Sequence, residues 1–101
     1  MTPEKYIQND ICHYLKSLEK ENLPVFWERR QAGGFSYKKG IPDLYAVING
    51  LHVEIEVKAP GGSKSPRQEA FERMCKDRSI IYICADNVED VKKLVQILIN
   101  L

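Results

Sequence analysis

Asp43-Leu44-Tyr45-Ala46-Val47-Ile48-Asn49-Gly50-Leu51-His52-Val53-Glu54-Ile55-Glu56-Val57-Lys58 holds two strand-like runs joined by Asn49-Gly50. Asn-Gly favours the two-residue type I′ turn, whose twist matches that of the strands it joins. Such a turn fixes the register: Ile48 faces Leu51, Ala46 faces Val53, Leu44 faces Ile55, and one step further Asp43 faces Glu56. Leu44, Ala46, Ile48, Leu51, Val53 and Ile55 then share one wholly apolar face, and a slip by one residue would turn all of them into water. The other face carries Asp43 and Glu56 opposite each other, with Lys58 two residues along on the same side.

Like charges directly opposed destabilise a strand pair, and more so when desolvated. Two readings of the pair stand side by side. In one, a hard divalent cation lies between the carboxylates and removes the repulsion. In the other, one acid sits at a fraying strand end in water, and Lys58 is an ordinary salt-bridge partner.

Upstream of the hairpin, Thr2-Pro3 reads as an N-cap followed by proline at the first helical position. Ile7, Ile11, Leu15 and Leu18, with Tyr14 beside them, give an amphipathic helix to about Lys20. Glu4 falls on its core-facing stripe, with Gln8 one turn further on. An acid there serves either the helix dipole or a site beyond the helix. Pro24 closes that run, and Val25-Phe26-Trp27 reads as a short strand leaving through Glu28, Arg29 and Arg30, with Trp27 assigned to the core. The glycine-rich loop that follows carries Phe35 and Tyr37, which either stack on unpaired bases or fold back on the core.

Downstream, a glycine- and proline-rich loop spans Ala59 to Ser65. Ser65-Pro66-Arg67-Gln68 matches a capping box opening a second helix, whose apolar side is Phe71, Met74 and Cys75. Ile80 to Ala85 is a nearly all-apolar strand of the kind buried on both faces. Asn87 caps a last helix with Val88, Val91, Leu94, Val95, Leu98 and Ile99 as its stripe. The predicted order α-β-β-β-α-β-α, without repeat or internal linker, describes one α/β domain over residues 1–101.

Composition agrees. The chain has 101 residues, 44% hydrophobic and 29% charged, enough for one core and too ordered in character for wholesale disorder. No apolar run approaches the roughly 20 residues of a membrane span, and the polar start is unlike a signal peptide. Three cysteines, Cys12, Cys75 and Cys84, lack C-x-x-C spacing and read as small buried hydrophobes in a reducing compartment. His13 and His52 have no partners at metal-ligand spacing and read as surface histidines.

Fifteen basic against 14 acidic residues leave a net charge of +1, too little for a histone-like electrostatic binder. The average conceals a segregation. Arg29, Arg30, Lys38 and Lys39 lie in an acid-free run, and Lys58, Lys64 and Arg67 in another. Arg29, Arg30, Lys38, Lys39, Lys64 and Arg67 bracket the hairpin and read as a phosphate-binding rim.

Taken together, Gly40-Ile41-Pro42-Asp43-Leu44, Glu56-Val57-Lys58-Ala59-Pro60 and Gln68 resemble the PD-(D/E)XK nuclease superfamily. Within it the resemblance is to the VRR-NUC (virus-type replication-repair nuclease) domain, in order, from about Glu4 to Cys84. It implies a restriction-endonuclease-like core, a mixed β-sheet flanked by helices. It implies Mg²⁺ or Mn²⁺ held by Glu4, Asp43, Glu56 and the backbone carbonyl of Val57, with Lys58 as the catalytic lysine. Gln68 matches the motif glutamine near the active site, a role that competes with its capping-box role for one side-chain conformation.

The implied activity is metal-dependent, structure-selective DNA endonuclease action on branched DNA in the cytoplasm, the host's if the chain is phage-encoded like the short stand-alone members it resembles. Those members are homodimers acting on four-way (Holliday) junctions. Here Ile97 and Leu101 extend the apolar surface of the last helix and are consistent with a two-fold dimer. The alternatives are a flap or replication-fork nuclease with the same site, and a catalytically silent nucleic-acid-binding module.

Overall fold

The computed structural model describes residues 1–30 and 40–101, so Phe35, Tyr37, Lys38 and Lys39 lie outside the described residues. Its elements are α1 (Pro3–Lys20), β1 (Val25–Arg29), β2 (Leu44–Ile48), β3 (Leu51–Val57), α2 (Pro66–Asp77), β4 (Ile81–Ala85) and α3 (Val88–Ile99). This is the predicted order α-β-β-β-α-β-α. The strands form one mixed sheet in the order β1-β2-β3-β4, antiparallel up to β3 and parallel between β3 and β4. A parallel neighbour needs a crossover connection, which α2 supplies.

The hairpin has the predicted register: Ile48 pairs with Leu51, Ala46 with Val53 and Leu44 with Ile55. Asn49 and Gly50 both have positive φ, 52° and 82°, as a type I′ turn demands. Leu44, Ala46, Ile48, Val53, Ile55 and Val57 are buried under α1 and α3, with Ile11, Leu15, Leu18, Val91, Val95 and Leu98 opposing them. Only Leu51, beside the turn, departs from the predicted apolar face, being exposed. Trp27 packs half-buried at the margin of this core. Among the described residues no helix is long and apolar enough to cross a membrane.

Two expectations need correction. β4 is not buried on both faces, because it forms the edge of the sheet. Only Ala85 of its five residues is fully buried, although α2 and α3 both contact the strand. A short apolar run reads alike at the centre and at an edge. Cys84 accordingly is exposed, whereas Cys12 and Cys75 are buried as expected.

Thr2 Oγ1 accepts from the Lys5 amide and caps α1. The capping box of α2 is complete: Ser65 Oγ accepts from the Gln68 amide, and Gln68 Oε1 accepts from the Ser65 amide. Gly40 ties this helix start to the entrance of β2. Its φ is +90°, and a Cβ there would come within 2.7 Å of the Arg67 carbonyl oxygen. Gly40→Ala combines a disfavoured backbone with a collision against main chain. It is expected to lower stability by about 2 kcal/mol or more, read as a drop in the urea midpoint at unchanged slope. An unchanged midpoint would show that the Gly40–Arg67 contact does not position the strand.

Candidate active site

The site lies at the end of the sheet where β1 and β3 finish and β2 begins, closed by the N-terminal turn of α1. A cleft of about 690 Å³ opens there, lined by Thr2, Pro3, Glu4, Lys5, Gln8, Arg29, Arg30, Asp43 and Ala59. Asp43 sits one residue before β2 and is half-buried. Its carbonyl accepts from the Arg30 amide at 2.7 Å, which ties it to β1. Glu56 lies in the interior of β3, only 2% exposed. Its Oε1 is buried without a hydrogen-bond partner among the described residues.

The electrostatics follow from that placement. Burial pushes the Glu56 carboxyl up, the Asp43 charge adds to the push, Lys58 opposes it and Glu4 adds a further push, leaving a pKa of about 7. Burial also raises Asp43, against the pull of Lys5, Lys58 and Arg29. Glu56 therefore feels the Asp43 charge, and the Lys58 charge draws both acids down. The Lys58 amide donates to the Ala85 carbonyl at 2.9 Å, fixing the end of the strand from which the side chain leaves.

Glu54, two residues before Glu56 on the same face, is almost as deeply buried and behaves oppositely. Burial would raise it, but Arg30 and His52 outweigh that and hold its pKa below the usual value. Arg30 donates to both carboxylate oxygens at 2.5 and 2.8 Å, and His52 closes on Oε2. Glu54 is thus a satisfied structural acid, whereas Glu56 is buried, raised and orphaned. Desolvated anions without partners are what a cation site consists of before its cation arrives.

Glu56 feels the charges of Asp43 and Glu4, and Glu4 lines the cleft together with Asp43. Among the described residues no three His, Cys, Asp or Glu side chains converge closely enough to ligate one ion. Two carboxylates suffice for a hard ion that keeps several waters, as Mg²⁺ does. Asp43 and Glu56, two neighbouring carboxylates of which one has a buried oxygen without a partner, therefore have the chemistry to hold such an ion.

The other expected site residues separate. Gln68 is held in its capping box, and Glu56, Lys58 and Gln68 all lie outside the lining of the cleft that Asp43 and Glu4 share. Arg29 and Arg30 line it, Arg67 is exposed at the start of α2, and Lys64 is paired with Glu72 and stacked over the Tyr82 ring. With Arg30 on Glu54 and Lys64 on Glu72, the basic rim holds fewer unpaired cations than its sequence count. Sequence reasoning passed over Lys5, which lies in the cleft, donates to Gln8 Oε1 at 3.3 Å and acts more strongly on Asp43 than Lys58 does. Its i,i+3 relation to buried Gln8 was the available signal. It also passed over Glu54, whose parity with Glu56 was visible.

A pH dependence follows. The folded-state pKa of Glu56, about 7, lies above its ordinary 4.5, so between those values the folded chain holds the extra proton. That contribution to stability is fully present below about pH 4.5 and is lost as pH rises through about 7, a difference of at most about 3 kcal/mol. Asp43 acts in the same direction. The metal-free protein is expected to melt higher at pH 5.5 than at pH 8, and added Mg²⁺ or Mn²⁺ to raise the melting temperature at pH 8 but little at pH 5.5. Equal shifts at both pH values, or none, would remove the cation from the Asp43–Glu56 pair.

No family model matches the sequence, and no curated protein matches it. Solved structures do align with the fold. One described as a VRR_NUC domain protein superposes with a TM-score of 0.75 at 19% identity, covering 96% of this chain and 88% of its own. A second, described as a VRR_NUC domain, gives 0.70 at 21% identity, covering 95% of this chain and 97% of its own. At such identities the likeness is one of fold, and over nearly the whole chain that fold is the VRR-NUC fold.

Proposed function

We propose that the protein is a metal-dependent, structure-selective DNA endonuclease that resolves four-way junctions as a homodimer. The observation that carries this reading is Glu56, with a buried oxygen lacking a partner and a pKa raised by burial and then by the Asp43 charge, on a fold shared with VRR_NUC domains. A silent binding module has no use for such a pair, since buried anions beside a phosphate backbone only repel it.

Asp43, Glu56 and the Val57 carbonyl would hold Mg²⁺ or Mn²⁺, with Glu4 adding negative charge at the cleft wall. A bound cation supplies Lewis-acid chemistry, polarising the scissile phosphate and making water acidic enough to attack near pH 7. Lys58 is a compact cation on a rigid strand end, placed to orient that water or to offset charge on the phosphate oxygens as the new P–O bond forms and the leaving oxygen departs. Lys5 and Arg29, at the cleft, attract the substrate's phosphates.

Two copies suit a branched substrate, and α3 offers the surface for pairing: Ile97 is 62% exposed, and Leu101 just beyond it 76%. The test uses a four-way junction, a flap and a linear duplex, each with Mg²⁺, Mn²⁺ or EDTA, together with a gel-filtration mass. Paired symmetrical cuts in the junction by a dimer, abolished by EDTA, are expected. Cutting of flaps alone by a monomer would replace the resolvase reading with a flap nuclease, and no cutting with either metal would remove the nuclease reading.

A further inference from the structure

A second cleft, of about 320 Å³, continues from the first along the outer side of α1. It is lined by Asn9, Cys12, His13, Lys16, Trp27 and Arg29, and Arg29 lines both clefts. The continuity comes from the two elements that form the walls. Lys5, Asn9, Cys12 and Lys16 recur at steps of three and four and so share one side of α1 over about 16 Å. Trp27 and Arg29 alternate onto the face of β1 that looks at this stripe, as the pairing of Trp27 with Ala46 and of Arg29 with Leu44 requires. Arg29 is anchored there by donating to Asn9 Oδ1 at 2.9 Å and to Cys12 Sγ at 3.4 Å.

The lining chemistry is one-sided. No acid lines this cleft, and among the described residues neither Arg29 nor Lys16 pairs with a carboxylate. Among the described residues the cations that do pair with carboxylates, Arg30 with Glu54, Lys64 and Lys76 with Glu72 and Lys92 with Glu89, all lie away from this cleft. An anchored arginine, an exposed lysine and an exposed histidine flank a half-buried indole whose free part opens into the same space. Cations that track a backbone beside an aromatic ring that can take a base are the two components of single-strand recognition. The volume is near the lower end of the range for ligand clefts, which suits one nucleotide unit and not a duplex.

We propose that the α1–β1 cleft holds an unpaired nucleotide of the DNA adjacent to the scissile phosphate, its phosphate on Arg29 and Lys16 and its base against Trp27. This deepens the nuclease reading and rests on it. Trp27, half-buried at the core margin, thereby gains a second role on its open side. The subsite selects DNA with an unpaired base next to the cut, which a flap offers outright and a four-way junction offers only when a pair at its branch point opens.

Trp27 is the only tryptophan of the chain, so its emission reports occupancy directly. Lys58→Ala protein without added metal is titrated with a fluorescein-labelled eight-residue oligodeoxythymidylate and with a blunt duplex of equal length. Binding is followed by anisotropy, and the unlabelled DNAs are used to follow Trp27 emission. Saturable quenching by the single strand, absent with the duplex and weakened by salt, is expected. Lys16→Glu, at an exposed position, should weaken single-strand binding about tenfold, and Trp27→Ala by a similar factor or more. Lys16→Glu keeps the test decisive if the Trp27 variant does not fold. Anisotropy showing binding while Trp27 emission stays unchanged, or equal quenching by the blunt duplex, would overturn the subsite and leave the nuclease reading standing. Quenching as expected in a protein whose wild type cuts no DNA with any metal would instead sink the nuclease reading, and with it the placement beside a scissile phosphate.

Discussion

Replacing Lys58 by alanine is expected to cut the rate of DNA scission by a hundredfold or more while leaving the fold in place. The strand end does not depend on the side chain: it is held by the Lys58 amide on the Ala85 carbonyl, which alanine retains. What is lost is a positive charge facing Asp43 and Glu56, the side on which the phosphate must arrive. Removing one preorganised group that stabilises developing charge costs about 10²–10³ in rate. The substitution also has an electrostatic consequence. Lys58 lowers the pKa of both acids, so without it both rise further, and cation binding shifts to higher pH. Metal affinity should therefore be compared across a pH series and not at a single pH. Lys58→Arg keeps the charge but exchanges a compact ammonium for a planar fork, and should recover cation binding at lower pH more fully than it recovers rate. A Lys58→Ala protein that cleaves at the wild-type rate would show that the lysine is only a salt-bridge partner at the strand end.

Glu56→Gln should have the larger effect, and of opposite sign on stability and activity. The carboxylate is buried, lacks a partner for Oε1 and stands against Asp43. Its neutral amide is nearly the same size and removes the repulsion. At pH 8, without metal, the variant is expected to be more stable than wild type by about 1–3 kcal/mol, the energy otherwise spent on ionising the acid. Cleavage should fall by a thousandfold or more, because the cation loses a ligand on which the chemistry depends. Glu54→Gln supplies the contrast two residues away. Glu54 is fully engaged by Arg30 and His52, so its amide is expected to cost about 2 kcal/mol of stability and leave the chemistry largely intact. If both glutamine variants lose stability alike, Glu56 is another structural acid and the site reading fails.

How far the sequence carried depends on the kind of interaction that decides each element. The hairpin was legible from Leu44 to Ile55 because its alternation and its Asn49-Gly50 turn demand one and the same register. Two local constraints in agreement leave nothing for the rest of the fold to override. β4 misled because position in a sheet is a tertiary property: Ile80 to Ala85 is apolar enough for a central strand, and nothing local says it lies at the edge. Cys84 follows from the same cause. Gln68 carried two signals, and its side chain takes the local one, in a capping box four residues long. Lys5 was missed because its closeness to Asp43 depends on how α1 docks across the sheet end, about forty residues away in sequence. The pairing of Arg30 with Glu54 was hidden for a similar reason, since it reaches from the end of β1 across β2 to β3.

The most direct test of the central claim is calorimetric titration of Mn²⁺ into the wild type and Glu56→Gln at pH 8, without DNA. A site near Asp43 and Glu56 should appear in the wild type, release less than one proton per ion at pH 8 and more at pH 6.5, and be lost in the variant. Binding of equal strength in both proteins, or no binding to the wild type at millimolar Mn²⁺, would contradict the assignment of these two carboxylates as a cation site.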